Sequence, residues 1–494
     1  MTAIWCTHAW LDGPAGAPGR VAQNVRIEVD GAGLIASVST GTGARPGDLI
    51  LSGVVYPAAA NAHSHAFHRI LRGCTHASGG GAGDFWTWRD RMYEAAAQLT
   101  PRNYERLATA VYAEMVAAGW TSVAEFHYVH HRPDGLPYGH RPGTSDDEPH
   151  AMELALARAA VNAGIRLTLL DACYLVGGIG VVDGIGGDAV TPAPTDEDAL
   201  SDRRASQSAR SEHWTPLEGV QIRFSDGSVK AWLQRFDSLR ETIAARYRPD
   251  QVTVAAAVHS VRAVPEGALA EVAAGLPAEL PLHIHLSEQV AENEACLRAT
   301  GLTPTALLGK YSLLTERLSA VHASHLSRED IDLLGSAGAT VIMCPSTEAD
   351  LADGIGPARA LRDAGARLAL GTDQHVAVDP WLEMRMLEYG ERLASGTRGC
   401  FSPTELIRAA SSGARTAMGT PVAVIAPGYA CDLMAVDPGT VRTVGSRPDQ
   451  LALTATGTDI VSVIVGGELL VHRGHHLRLG DPASLLASAL KEFE

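Results

Sequence analysis

The chain has 494 residues, 46% of them hydrophobic, with 40 Lys and Arg against 56 Asp and Glu, a formal net charge of −16. That balance excludes a disordered chain and a protein that holds nucleic acid by broad phosphate neutralisation, while leaving room for a local basic pocket that takes a small anionic substrate. No apolar run approaches the ~18 residues of a membrane-crossing helix, and the seven scattered cysteines form no CxxC pair. The expectation is a cytoplasmic protein with no membrane association and no disulfide framework.

The opening MTAIWCTHAWLDG lacks a basic stretch followed by an apolar core, so no secretory signal is expected. Residues up to about 56 read as short strands broken at glycine, as in VRIEVDGAGLIASV. The same texture returns in CDLMAVD and DIVSVIVGGELLVHRG near the other end. Both ends are therefore expected to build one small β-sandwich domain, from residues 1–56 and 420–494.

Between them, residues 57–419 alternate short apolar runs with Ala/Leu-rich helical stretches such as NYERLATAVYAEMVAAG. Eight strand candidates follow in order: SGVVYPAAANAH, TSVAEFHY, IRLTLLDACY, VTVAAAVHS, LPLHIHLSE, LSAVHASH, ATVIMCPS and ARLALGTDQH. Eight βα units favour a distorted (β/α)8 TIM-like barrel over an open doubly wound sheet, and no G-x-G-x-x-G follows the first strand. Residues 176–216, rich in Gly, Asp, Ser and Pro, read as a long loop after the third strand, on the active-site face of such a barrel.

Polar residues gather at the strand ends. His63 and His65 close the first as His-x-His, and a period of two aims both at one face, where both can reach one metal. His259 ends the fourth strand, and His283 and His285 lie on the fifth with Glu288 three residues on. His322 ends the sixth and Asp373 the eighth. Each histidine alone reads as a hydrogen-bonded core or loop residue. Their shared place at the C-terminal ends of barrel strands is where barrel enzymes put their catalysts. His130, His131, His475 and His476 are expected on the surface, and His283 behind the site.

This set resembles the amidohydrolase superfamily, in its mononuclear deaminase branch, and SSGARTAMG and PGYACDLMAVD resemble that superfamily's closing helix and returning β domain. NAHSHAFHRILRG, DFWTWRDRMYE, SVAEFHYVHH, HSVRAV, HIHLSEQ, STEADLADGIGPA and LEYGERL look like the formimidoylglutamate deiminases within it. The resemblance implies hydrolysis of N-formimino-L-glutamate to N-formyl-L-glutamate and ammonia by a homodimeric enzyme. It implies one Zn2+ held by His63, His65, His285 and Asp373, a set that Fe2+ or Mn2+ would also suit. Glu288, His322 and Asp373 would carry acid–base and orienting roles, and His68, Arg89, Tyr128, His259 and Arg262 would hold substrate. Arginine suits a dicarboxylate because its planar fork makes paired charge-assisted hydrogen bonds. Residue by residue, Arg89 competes with Arg91, and Arg262 could simply pair with Glu266.

Three positions depart from the family pattern. His68 stands where glutamine is usual, Thr372 where serine is usual, and the 176–216 stretch is longer and richer in glycine. The rival reading is a related deaminase acting on another formimino or guanidino acid, or on a purine or triazine ring. A ring pocket would need stacking aromatics, which make up only 5% of the chain. A non-catalytic scaffold on the same fold would lack metal ligands, and here every ligand position is filled.

Overall fold

The computed structural model describes residues 2–13, 17–75, 85–139, 147–180 and 214–494. The first four strands are β1 (Thr2–Leu11), β2 (Arg20–Val29), β3 (Ile35–Ser39) and β4 (Leu49–Pro57). Next come β5 (Ala59–Ser64), β6 (Trp120–His127), β7 (Arg166–Cys173), and the short pair β8 (Gly178–Ile179) and β9 (Trp214–Thr215). Then follow β10 (Val252–Val258), β11 (Leu282–Leu286), β12 (Leu318–His322), β13 (Thr340–Met343) and β14 (Arg367–Leu370). The last strands are β15 (Leu433–Val436), β16 (Ile460–Val465), β17 (Glu468–His472) and β18 (His475–His476).

Strands from both chain ends share one sheet, in the order β18-β17-β16-β15-β4-β1-β2-β3. It carries its own apolar cluster, with Ile4, Val25, Ile27, Val55, Leu433 and Ile464 at its heart. The second sheet is parallel, in the order β5-β6-β7-β10-β11-β12-β13-β14. Its strands are buried on both faces, which is why β6 and β11 are buried along their whole length and read as apolar runs rather than alternating ones. The run SGVVYPAAANAH is two strands: β4 pairs in the terminal sheet, Ala58 turns, and β5 opens the barrel.

The barrel closes through the residues that carry chemistry. Ser64 and Asp373 form a parallel bridge between the first and last strands. The amides of Thr372 and Asp373 both donate to the His63 carbonyl, at 3.0 Å each. Asn61 Nδ2 donates to Thr372 Oγ1 at 2.7 Å and its Oδ1 accepts from the Thr372 amide at 3.1 Å. Only a hydroxyl is required for that contact, so threonine meets the need as serine would.

Helices cover the barrel as their patterns require. Pro101–Ala117 starts at a Thr100–Asn103 capping box with proline in its first turn, and buries Tyr104, Leu107, Ala108, Val111 and Met115 at three- and four-residue spacing. The two sheets are tied by a buried ion cluster. Asp432, just ahead of β15, accepts from Arg166 at 2.9 and 3.1 Å, from Arg415 at 2.6 Å and from the Gly466 amide at 2.7 Å. All seven cysteines are free. No described helix is long and apolar enough to cross a membrane.

Three histidines expected on the surface are buried. His130 and His131 lie at 3% exposure and His476 at 1%, whereas His475 is exposed. His130 donates one ring nitrogen to Glu153 and the other to the Ala172 carbonyl, and His131 faces Asp226 at 3.1 Å. Arg235 joins Glu153, Asp171 and Asp226 in the same cluster. A His-His pair in a loop gave no sign of the carboxylates that the fold brings to it.

Candidate active site and metal centre

Four donors meet at the C-terminal end of the barrel. His63 Nε2 lies 3.2 Å from His285 Nε2, and His65 Nε2 lies 3.4 Å from His285 Nε2. Asp373 Oδ1 is 3.4 Å from Nε2 of both His63 and His65. A tetrahedral ion with ligand bonds of about 2.0–2.1 Å needs donor separations of about 3.3–3.4 Å. Each of these four separations matches that spacing, and the His63, His65 and His285 nitrogens form one donor group that could hold a cation of zinc size.

The tautomers agree. His65 Nδ1 donates to the Phe126 carbonyl at 2.8 Å and His285 Nδ1 to the His259 carbonyl at 2.9 Å. A carbonyl can only accept, so each Nε2 is left with its lone pair. Burial, reinforced by the neighbouring imidazoles, holds His63 and His65 well below the ordinary histidine pKa. Burial pushes the Asp373 carboxyl up to about 7, an environment that a cation at the centre would reverse.

Around this centre the sequence candidates converge on one cavity of about 360 Å³, lined by His68, Arg89, Tyr128, His259, Arg262, Glu288 and His322 together with the donors His65, His285 and Asp373. Glu288 Oε2 accepts from Arg262 Nη2 at 3.1 Å. Glu288 Oε1 lies 3.8 Å from His322 Nε2, and Glu348 lies 3.5 Å from the other His322 nitrogen. Burial opposes a charge on His322, but Glu288, Glu348 and Asp373 more than offset it and raise its pKa to about 10. His322 and Asp373 both have left-handed backbones, with φ of 67° and 40°. Such residues cost on the order of 1–3 kcal/mol and are held where surrounding structure over-determines them.

The close alternatives separate. Arg89 sits in the cavity with its guanidinium 5.6 Å from the Tyr93 ring centre, whereas Arg91 is exposed and pairs with Glu94. Arg262 pairs with Glu288 and Glu292, not with Glu266, which takes Lys310 and Tyr311 instead. Tyr128 OH lies 3.2 Å from His68 Nε2, so the histidine at the unusual position makes a side-chain contact within the cavity wall. His283 bonds the Ala417 carbonyl at 2.8 Å and ties its strand to the closing helix rather than to a metal ligand.

Other cavity residues were not picked out individually in the sequence, although Trp88 and Tyr93 lie within DFWTWRDRMYE. Tyr93, Tyr174 and Phe224 line it, as does Trp88, so a chain poor in aromatics still has an aromatic wall here. The low aromatic content therefore does not count against a ring-shaped substrate. Glu348 lies within STEADLADGIGPA, but only the fold shows it facing His322. Of the stretch 176–216, Gly178–Ile179 pairs with Trp214–Thr215, and Gly177, Ile179 and Thr215 line the cavity; residues 181–213 lie outside the described residues.

A family profile described as the amidohydrolase family matches residues 54–470. The chain is 33% identical over 487 residues to a formimidoylglutamate deiminase of Pseudomonas aeruginosa, covering 96% of each chain. It is 28% identical to an 8-oxoguanine deaminase of the same organism, covering 88% of this chain and 85% of that one. Among solved structures it is similar to an amidohydrolase from Brucella melitensis, at TM-score 0.82 and 30% identity over 100% of this chain and 99% of the other.

Proposed function

The chain belongs to the amidohydrolase family and is a hydrolytic deaminase of it, and from that premise we propose that its substrate is N-formimino-L-glutamate, hydrolysed to N-formyl-L-glutamate and ammonia. The observation that carries this reading is the pairing of a His/Asp donor centre with a cavity that holds two arginines, Arg89 and Arg262. A formimino carbon needs attack by water, and the two carboxylates of the substrate need cationic partners.

His63, His65, His285 and Asp373 would hold the metal, which we take to be zinc. A zinc ion held there supplies a water activated at neutral pH. The chain's own groups do the rest. The free oxygen of Asp373 accepts the proton of the attacking water. Glu288, a carboxylate at rest beside Arg262 and His322, takes up the second proton of the attacking water and passes it to the departing nitrogen, and its contact with Arg262 keeps it aimed into the cavity. His322, charged between Glu288 and Glu348, donates to the attacking oxygen and stabilises the charge that builds there. Arg89, Arg262, Tyr128 and His259 orient the substrate. His68 donates where the usual glutamine would, with Tyr128 as its partner. The same reading takes the enzyme as a cytosolic homodimer, which light scattering of the purified protein tests.

The aromatic wall favours one second reading, a deaminase of a purine-like ring, which Trp88, Tyr174 and Phe224 could sandwich. Ammonia release by zinc-loaded protein separates the two. Turnover of N-formimino-L-glutamate with none of guanine, 8-oxoguanine or adenosine is the expected result. Turnover of a ring alone would replace the proposal with the second reading.

A further inference from the structure

Gln221 lies behind the cavity, in the short helical turn Gly219–Phe224, and is 7% exposed. Its side-chain oxygen accepts from the Glu218 amide at 2.9 Å, which fixes the amide's orientation. The opposite nitrogen therefore donates, and three acceptors surround it. They are Tyr93 OH at 3.0 Å, the Gly177 carbonyl at 3.2 Å and Tyr174 OH at 3.3 Å. One side chain thus joins the helix Phe85–Ala97, the end of β7 and the backbone leading into the β8–β9 pair.

Hydrogen-bond direction gives this clamp a consequence. Both tyrosine hydroxyls accept from Gln221 or lie within its reach, and a hydroxyl that accepts keeps its own O–H to donate. Both rings line the cavity. Arg89 and Arg262 line the same cavity, and the Arg89 guanidinium lies 5.6 Å from the Tyr93 ring centre. A cavity wall that combines guanidiniums with tyrosine O–H donors is complementary to a carboxylate.

We infer that Tyr93 and Tyr174, held by Gln221, form a hydroxyl anchor for the substrate carboxylate farther from the metal centre, making Gln221 a positioning residue that sets selectivity for dianionic substrates. The inference deepens the proposed function and rests on its reading of an anionic substrate. Loss of a hydrogen bond to a charged group corresponds to about tenfold or more in affinity.

The test uses zinc-loaded full-length protein with Q221L, Q221N and the Y93F/Y174F double variant, and glutarate as a calorimetric probe beside turnover of N-formimino-L-glutamate and N-formimino-L-glutamine. The expected result for Q221L is glutarate binding weakened about tenfold and a KM for the formimino dicarboxylate raised as much. Its kcat and zinc content should stay at the wild-type level, and its kcat/KM for the neutral-ended glutamine analogue should be unchanged. Adding Q221L to Y93F/Y174F should cost nothing further, because all three act as one unit. Q221N, a donor with a shorter reach, should fall between wild type and Q221L. Equal losses on both substrates, additive effects of the variants, or wild-type protein that does not bind glutarate would overturn the inference. Gln221-dependent glutarate binding without turnover of N-formimino-L-glutamate would instead uphold the anchor and overturn the substrate assignment.

Discussion

His63 Nε2 and His285 Nε2 lie 3.2 Å apart although 222 residues separate them in the chain and they sit on different strands of the barrel. With His285 Nδ1 committed to a carbonyl, its Nε2 turns a lone pair toward His63. Buried nitrogens facing one another in this way repel unless a cation lies between them. The relationship explains why these imidazoles are kept neutral by burial and why Asp373 completes the ring of donors.

Removing a donor should empty the centre. His65→Ala and Asp373→Ala are each expected to abolish turnover, with zinc falling far below one equivalent per chain by elemental analysis. Full zinc content in both variants would remove these residues from the ligand set.

Arg262→Ala should weaken substrate binding while the metal centre stays filled. A guanidinium that holds a carboxylate contributes about 1.5–3 kcal/mol, so KM for the formimino dicarboxylate should rise about 10- to 100-fold with zinc retained. Arg91→Ala, whose side chain points to solvent, should match wild type in steady-state kinetics. Wild-type KM in Arg262→Ala would show that the substrate carboxylates lie elsewhere.

Gly371 has no room for a side chain. An added Cβ would stand 2.9 Å from both Cβ and the carbonyl oxygen of His63, and 3.0 Å from Cys344 Sγ. Gly371→Ala should therefore push a ligand-bearing strand end aside, destabilising by about 1–3 kcal/mol in denaturant titrations and weakening zinc retention against a chelator. Unchanged values in both measurements would mean that β5 and β14 can move apart freely.

Asp432 should govern acid stability where the two sheets meet. Burial raises its pKa, but Arg166 and Arg415 more than reverse that and hold it at about 2, below the unfolded value of 3.8. A depressed carboxyl contributes stability that is complete above the unfolded value and is lost as pH falls toward the folded one. Asp432→Asn should cost about 3–5 kcal/mol at neutral pH, because buried Arg415 loses its carboxylate partner and half-buried Arg166 loses one of two. The difference in melting temperature between wild type and variant should shrink from pH 5 toward pH 2. A difference that is flat over that range would place the ionisation elsewhere.

The chain itself determined the barrel, the shared terminal sheet and the positions of the strand-end donors. Parallel strands buried on both faces must be apolar along their length, and the polar residues that end them therefore stand out. What the sequence could not show was which side chains meet. Arg89 and Arg91 are chemically identical, and only the helix Phe85–Ala97 packing over the barrel sends one to the cavity and the other to water. Arg262 could have paired with Glu266 four residues on; the fold brings Glu288 and Glu292 instead. His130 and His131 looked like a loop pair until Glu153 and Asp226, from elements far along the chain, made their burial affordable. The joint role of Gln221, Tyr93 and Tyr174 cannot be read from the segments they lie in, because their contacts run 44 to 128 residues along the chain. Periodicity and strand-end chemistry are local and can be read in one dimension. Hydrogen-bond direction, ion pairing and close approach depend on distances that exist only once the barrel has closed.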